Sequence, residues 1–156
     1  MSCDFAEISW AIWYDLNQPT SLTVDAIQTR LQSNFFIGKL NNLINTCFSF
    51  DSSGNILVNG VLDTEGVFGS EEQALYIELY KNNYYGTKIT ENLGAGGISW
   101  TSIKEGDTTI NRASATDIAS KFQVLKTNSD DNLRALVVSY LNNKNRPYSN
   151  DFYDIQ

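Results

Sequence analysis

The stretch "SEEQALYIELYKNNYYGTKITEN", residues 70–92, decides the fold because it predicts a single long helix. Ser70 begins a capping box that a glutamine closes three residues later, and the two glutamates between them suit the positive end of a helix dipole. Tyr76, Tyr80 and Tyr84 recur at four-residue spacing beside a stripe of leucine and isoleucine. An apolar surface this broad indicates a helix at the centre of the core, or one that also contacts a neighbouring molecule.

The residues before this helix predict two short helices and a hairpin. Residues 23–35 carry apolar side chains at helical spacing behind the cap residue Thr23, and a second short helix is expected after Gly38. Cys47 is expected on the apolar side of that second helix, as a small core residue. The segment "FSFDSSGNILV", residues 48–58, places turn-forming residues between two short apolar runs and predicts a hairpin.

A joint and two more helices are expected after the long helix. Gly86 is expected to kink or end that helix, and the glycines of "GAGG", residues 94–97, form a flexible joint beyond it. Residues 114–125 and 131–142 each show apolar side chains at helical spacing. The polar run "TNSDDN" between them is expected to separate two helices.

A second hairpin is predicted between the joint and these helices, in "WTSIKEGDTTIN", residues 100–111. Glu105 and Gly106 are expected to form its two-residue turn, so that Lys104 faces Asp107 as an opposite charge. Both faces of the hairpin carry apolar side chains, and an isolated hairpin is marginally stable in water. We therefore expect it to rest on the chain's own helices or on another subunit.

These elements predict a mainly α protein, a small helical bundle with one or two β-hairpins and one long central helix. The length of 156 residues favours a single domain over residues 1–156. Within it we expect an N-terminal arm at 1–20, a protruding hairpin at 98–111 and an extended C-terminal tail at 144–156. The aromatic side chains of the arm are expected to pack on the domain, with a role in binding as the alternative.

Composition and charge limit the classes of partner. The net charge is −7 and the sequence contains no run of lysine or arginine, which argues against a dedicated nucleic-acid surface. Two isolated cysteines are typical of a protein made in a reducing compartment. The first residues lack the basic start of a signal peptide, and no apolar run approaches a membrane span, so we expect synthesis in a cytoplasm and no contact with a membrane.

The sequence predicts no catalytic, cofactor or metal site. The sequence has no histidine, the commonest general base and metal ligand. Asp63 with Glu65, and Asp151 with Asp154, are carboxylate pairs near in sequence, but they lie in a turn and a tail where carboxylates are usually solvated. The glycines at 94–97 lack the spacing of a dinucleotide fingerprint and the lysine of a phosphate loop.

The order of these segments resembles the head–tail connector proteins, or head-completion adaptors, of tailed bacteriophages. The succession is "EEQALYIELYKNNYYGTKI", a glycine loop, "SWTSIKEGDTTIN" and a final "ALVVSYLNNKNRP". Residues 102–110 look like the family's hairpin pattern S-x-x-x-G-D-x-S-[VI], with Thr109 where serine is usual. The segment "VNGVL", residues 58–62, also looks like the sequence pattern that precedes the long helix in this family. The resemblance covers about residues 56–146 and none of the first 50.

The resemblance implies a structural virion protein rather than an enzyme. Such subunits form a ring of about twelve copies in the neck of the virion, with the portal protein on one side and tail or neck proteins on the other. DNA passes through the lumen without being read, which is consistent with an acidic chain. The residues that we expect at subunit or partner interfaces are Tyr76, Tyr80, Tyr84, Trp100, Ile103, Lys104, Glu105, Gly106, Asp107, Ile110, Arg146, Tyr148, Phe152 and Tyr153.

Two other classes of function stay open at this stage. A monomeric acidic protein-binding or inhibitory module would show an acidic stripe on one face, whereas the acidic residues here are scattered along the sequence. A small hydrolase that uses carboxylates and a metal ion would need clustered acidic residues, and the sequence shows none.

Overall fold

The computed structural model describes residues 4–94, 102–105, 108–111 and 115–144. Within these ranges the chain is mainly helical with two small antiparallel sheets, which confirms the expected fold class. The elements follow in the order α1 (Phe5–Asp15), α2 (Val24–Leu31), α3 (Asn34–Ile44), β1 (Phe48–Phe50), β2 (Ile56–Val58), β3 (Val61–Leu62), α4 (Ser70–Gly94), β4 (Ser102–Glu105), β5 (Thr108–Asn111) and α5 (Ala115–Lys144).

The segment expected to be an N-terminal arm forms the regular helix α1. Asp4 caps it, because its Oδ1 accepts hydrogen bonds from the backbone N–H groups of Ala6 at 2.9 Å and Glu7 at 3.4 Å. One face of α1, which includes Phe5, Ile8 and Ile12, is buried in the core. The helix therefore belongs to the body of the protein.

A serine divides the first predicted helix into two helices. The hydroxyl of Ser33 donates to the carbonyl of Arg30 at 2.7 Å and accepts from the N–H of Phe36 at 3.2 Å. It thus ends α2 and caps α3, so the prediction of one helix over 23–35, followed by another after Gly38, was wrong in its boundaries. Cys47 lies beyond α3 and is exposed, which corrects its expected place in the core.

The predicted hairpin at 48–58 is present and is extended by a third strand. The strands lie in the order β1-β2-β3, and Asn59 and Gly60 connect the last two with φ angles of +52° and +79°. Positive φ at both central residues is the requirement of a type I′ hairpin turn. Strand β3 was not predicted, although the Asn–Gly pair before it is a typical hairpin sequence.

Two asparagines of α3 cover the outer edge of this sheet. The side-chain amide of Asn34 accepts from the N–H of Phe50 at 2.7 Å, and that of Asn41 accepts from the N–H of Phe48 at 2.9 Å. Each asparagine also donates to the carbonyl of the same strand residue. Backbone groups that would otherwise need water or another strand are therefore satisfied within the chain.

The long central helix is confirmed as α4, with the predicted start at Ser70, a different capping contact and no break. Glu72, rather than Gln73, reaches back at the start of the helix, where its Oε2 accepts from the N–H of Gly69 at 3.0 Å. The helix does not end at Gly86, which was one of the two expected outcomes there, because an interior glycine lowers helix stability by only about 1 kcal/mol. A Cβ at Gly86 would lie 3.5 Å from Cε of Lys126 on α5, which is an ordinary contact.

The two helices expected after the hairpin are one continuous helix, α5. The polar run that was expected to break it is held by partners on α4: Ser129 is buried and its hydroxyl donates to Glu78 Oε1 at 2.6 Å. Asp130 accepts from the side chains of Asn82 at 2.6 Å and Lys126 at 3.0 Å. Satisfied polar groups do not interrupt a helix, so the prediction of a break was wrong.

The second hairpin is present, but its register differs from the expected one by two residues. Glu105 pairs with Thr108, and Ile103 pairs with Ile110, whereas Ile103 was expected to pair with Thr108. The expected turn of Glu105 and Gly106 was therefore wrong, since Glu105 lies in β4. Residues 106–107 separate the strands, and glycine followed by aspartate is a favoured hairpin sequence.

Replacement of Tyr76 by phenylalanine tests the core. The Tyr76 hydroxyl donates to the carbonyl of Leu31, and both are buried. Its loss leaves that carbonyl unsatisfied, so Tyr76→Phe should lower the free energy of unfolding by about 1–3 kcal/mol in urea titrations. Tyr84→Phe is the control, because the Tyr84 hydroxyl makes no hydrogen bond to the described residues. Equal losses in both variants would contradict this role of Tyr76.

Candidate functional site

The tyrosine stripe of α4 belongs mainly to the core. Tyr76 and Tyr80 are buried, and burial raises the pKa of both phenols. Tyr84 is partly buried and packs against Tyr85 and Phe122, with ring centroids 5.9 Å and 6.4 Å away. The expectation that these rings form a contact patch for another subunit is therefore wrong for Tyr76 and Tyr80.

The other predicted interface residues lie in the hairpin and the tail. The backbone pairing of β4 and β5 includes Ile103, Lys104, Glu105 and Ile110. The remaining predicted residues lie outside the described ranges: Trp100, Gly106, Asp107, Arg146, Tyr148, Phe152 and Tyr153.

An exposed aromatic cluster lies on α1. Trp10 is 49% exposed and Tyr14 is 57% exposed, and Trp13 joins their rings with centroids 5.6 Å and 5.5 Å away. Trp13 is fixed, because its indole N–H donates to the carbonyl of Leu22 at 3.0 Å. Large aromatic rings that are held in place and exposed are typical of protein interfaces.

A second exposed surface lies on the outer side of α5, opposite the face that packs on α4, where the charged and exposed Asp131 and Arg134 lie between two exposed valines. Val124 is 61% exposed and Val138 is 54% exposed, whereas Ala119 and Tyr140 point into the protein and are buried. The two valines are 14 residues apart, close to four helical turns, so they lie on the same side. The chain thus exposes an aromatic cluster on α1 and two valines among charged side chains on α5.

This second surface was missed from the sequence for a specific reason. A break between residues 125 and 131, as predicted from the sequence, would remove any fixed relation between Val124 and Val138. The spacing of 14 residues would have placed both valines on one side of an uninterrupted helix. The signal was therefore in the sequence, but it depended on the break that the structure does not have.

Asp63 is a structural residue rather than one half of a reactive carboxylate pair. Its two carboxylate oxygens accept from the N–H groups of Val67 and Phe68, each at 2.9 Å. Burial works against ionisation of Asp63, but these and neighbouring backbone hydrogen bonds outweigh it and lower its pKa. Both oxygens thus stabilise the loop before α4 by hydrogen bonds to its backbone. Asp151 and Asp154 lie outside the described ranges.

Asp51 has a similar role in the β1–β2 turn. It accepts hydrogen bonds from the side chain and N–H of Asn55 and from the N–H of Ser53, and the Asn55 side chain contributes most to the lowering of its pKa. Among the described residues, no cluster of three or more histidine, cysteine or acidic side chains could hold a metal ion. None of the described helices is long and apolar enough to cross a membrane.

Comparison with known proteins adds no relative: no family model, curated protein or solved structure matches this chain.

The role of Asp63 predicts a pH dependence of stability. A lowered pKa in the folded state stabilises the protein above the ordinary aspartate pKa, and this stabilisation is lost as the pH falls through the folded-state value. We expect Asp63→Asn to be less stable than the wild type at pH 6, and the difference to shrink below about pH 4. Urea titrations at several pH values measure it. Glu65→Gln removes a neighbouring exposed charge as a control, and an identical pH profile for both variants would contradict this role.

Proposed function

We propose that this protein is a subunit of a head–tail connector, a ring-forming adaptor that joins the portal of a tailed virus to its tail or neck. The observation that carries the proposal is the succession of the long helix α4, the β4–β5 hairpin and the long helix α5. This is the order of elements that the sequence resemblance implies. In this role the protein is structural and has no catalytic group.

The distribution of apolar surface supports the proposal. A ring needs a heterologous interface, in which one surface of a subunit meets a different surface of the next. In the proposed ring, the aromatic cluster of α1 would meet the outer side of α5, which carries exposed valines together with Asp131 and Arg134. The partners would be further copies of the chain, the portal protein, and a tail or neck protein.

The charge of the chain supports passage of DNA without binding. With a net charge of −7, a ring of such subunits would surround the duplex with an excess of negative charge. Phosphates would therefore be repelled rather than retained, and the DNA could slide through the lumen. The place of action would be the virion neck, after synthesis in the host cytoplasm.

The proposal is tested by the mass of the particles that the protein forms. Light scattering or mass photometry of the purified protein, alone and mixed with the portal protein of the same virus, should detect a ring or a portal-bound assembly. A protein that stays monomeric and does not associate with the portal would contradict the proposal.

A substitution on the outer side of α5 tests the ring interface more specifically. Val138→Asp places a charge on an exposed apolar position, so it should reduce assembly at least about tenfold while the melting temperature stays close to the wild-type value. Asn142→Asp is the matched control, because it adds the same charge one turn along the same helix without removing an apolar side chain. Assembly that is equally strong in both variants and in the wild type would exclude this surface from the ring interface.

A further inference from the structure

The aromatic cluster of α1 presents ring faces that carry no cation. The Trp10 ring lies 5.6 Å from that of Trp13, nearly perpendicular to it, and 6.0 Å from that of Tyr14. No lysine or arginine of the described residues lies over any of these three rings. Elsewhere in the fold, cations lie 5.1–5.7 Å from the centres of four rings, those of Phe35, Phe36, Tyr84 and Tyr140. Tryptophan is the ring that attracts a cation most strongly, so the best position for one is open to a partner.

The charge of α1 favours a cation on these rings. Its two charged residues are both acidic, Glu7 and Asp15, and Asp15 is already paired with Lys81 at 3.3 Å. Glu7 is exposed and forms no ion pair with the described residues. It lies three residues before Trp10 and seven before Tyr14, so all three side chains lie on one side of the helix. Two exposed rings beside this carboxylate suit a guanidinium, which stacks on an aromatic face and donates hydrogen bonds in its own plane.

Arg134 offers such a guanidinium on the outer side of α5. Its side chain is 78% exposed, and its contact with Asp131 is a long one of 4.0 Å between two exposed groups. Exposed pairs of this kind contribute little to stability, so Arg134 can exchange Asp131 for another partner. Val138 and Leu141 follow four and seven residues later on the same side of α5, and both are exposed. Their apolar side chains extend the surface that a ring can contact.

The other cations of α5 lack one of these properties. Lys126 and Lys144 are already paired with carboxylates, at 3.0 Å and 3.5 Å. Lys121 is exposed, but its ammonium has no plane that can stack on a ring. Arg134 is therefore the cation of α5 that matches the α1 surface in both charge and shape.

We infer that Arg134 of one copy of the chain stacks on the Trp10 ring of a second copy, where Glu7 accepts hydrogen bonds from the guanidinium. The contact joins two copies, because Arg134 lies over no ring of its own chain among the described residues. Helices α1 and α5 each pack on α4, and both halves of the contact are exposed in every copy. Such an interface is heterologous, so each copy can bind one neighbour through α1 and another through α5.

This contact rests on the proposed function and deepens it, because it names the side chains at which neighbouring subunits of the ring meet. In a chain with a net charge of −7, copies repel one another unless opposite charges meet at their interface. The pairing of Arg134 with Glu7 supplies such a contact. Tryptophan, tyrosine and arginine are also the residues that most often dominate binding at protein interfaces.

Sedimentation velocity of the full-length protein over a concentration series, alone and mixed with the portal protein, tests the contact. We expect Trp10→Ala and Arg134→Gln each to weaken association between copies at least about tenfold, since each removes one half of the contact. Circular dichroism verifies that every variant folds.

Each variant has a matched control. Phe35→Ala removes an exposed ring from α3, which takes no part in the contact. Lys121→Gln removes an exposed positive charge from the same helix as Arg134, about 20 Å away. Both controls should associate like the wild type.

Mixing the two variants distinguishes a head-to-tail contact from a general loss of structure. The Trp10→Ala copy keeps its Arg134 and the Arg134→Gln copy keeps its Trp10, so an equimolar mixture should form pairs that cannot extend into a ring. The double variant Trp10→Ala/Arg134→Gln should lose no more affinity than either single variant, since both changes remove the same contact. A mixture that forms no pairs, or additive losses in the double variant, would overturn the inference.

The outcomes also separate this contact from the adaptor role. Association that is equally strong in all four single variants would overturn the contact and leave the adaptor role standing. Pairing that depends on Trp10 and Arg134, in a protein that does not bind the portal, would support the contact and contradict the adaptor role. Loss of portal binding in Trp10→Ala but not in Arg134→Gln would assign the Trp10 ring to the portal and overturn the contact between copies. A protein that stays monomeric with and without the portal would overturn both.

Discussion

The fold depends on the insertion of Tyr76 of α4 among three aromatic rings that come from different parts of the chain. Its ring centroid lies 5.3 Å from that of Phe36 on α3, 5.9 Å from that of Phe68 before α4, and 6.5 Å from that of Phe5 on α1. Its hydroxyl donates to the carbonyl of Leu31 at the end of α2. One side chain thus connects α4 to all three preceding helices. Its ring is buried among other rings, while its hydroxyl keeps a hydrogen-bond partner.

The pairing of α4 with α5 has a different character. Polar contacts supply much of it, such as the hydrogen bonds from Ser129 to Glu78 and from Asn82 to Asp130. Such contacts fix the register of two helices, because a shift by one residue would leave buried polar groups without partners. The outer side of α5 is left uncovered, and in a ring a neighbouring subunit would cover it.

Local patterns in the sequence predicted the helices and turns that depend on interactions between nearby residues. The long helix, the first hairpin and the turn at Asp51 follow from periodicity, capping and turn residues, and the structure confirms them. The break between α2 and α3, the unbroken α5 and the exposure of Cys47 depend on atoms that are distant in sequence or on a single hydroxyl. The place of Tyr76 and Tyr80 in the core likewise required knowledge of which rings meet them, which spacing alone does not contain.

The adaptor role itself is tested most directly by electron microscopy of portal particles incubated with an excess of the purified protein. The proposed role predicts a new ring of density that is coaxial with the portal on one of its ends, with an open channel wide enough for duplex DNA. Portal particles that look the same with and without the protein, while the protein remains folded by circular dichroism, would contradict it.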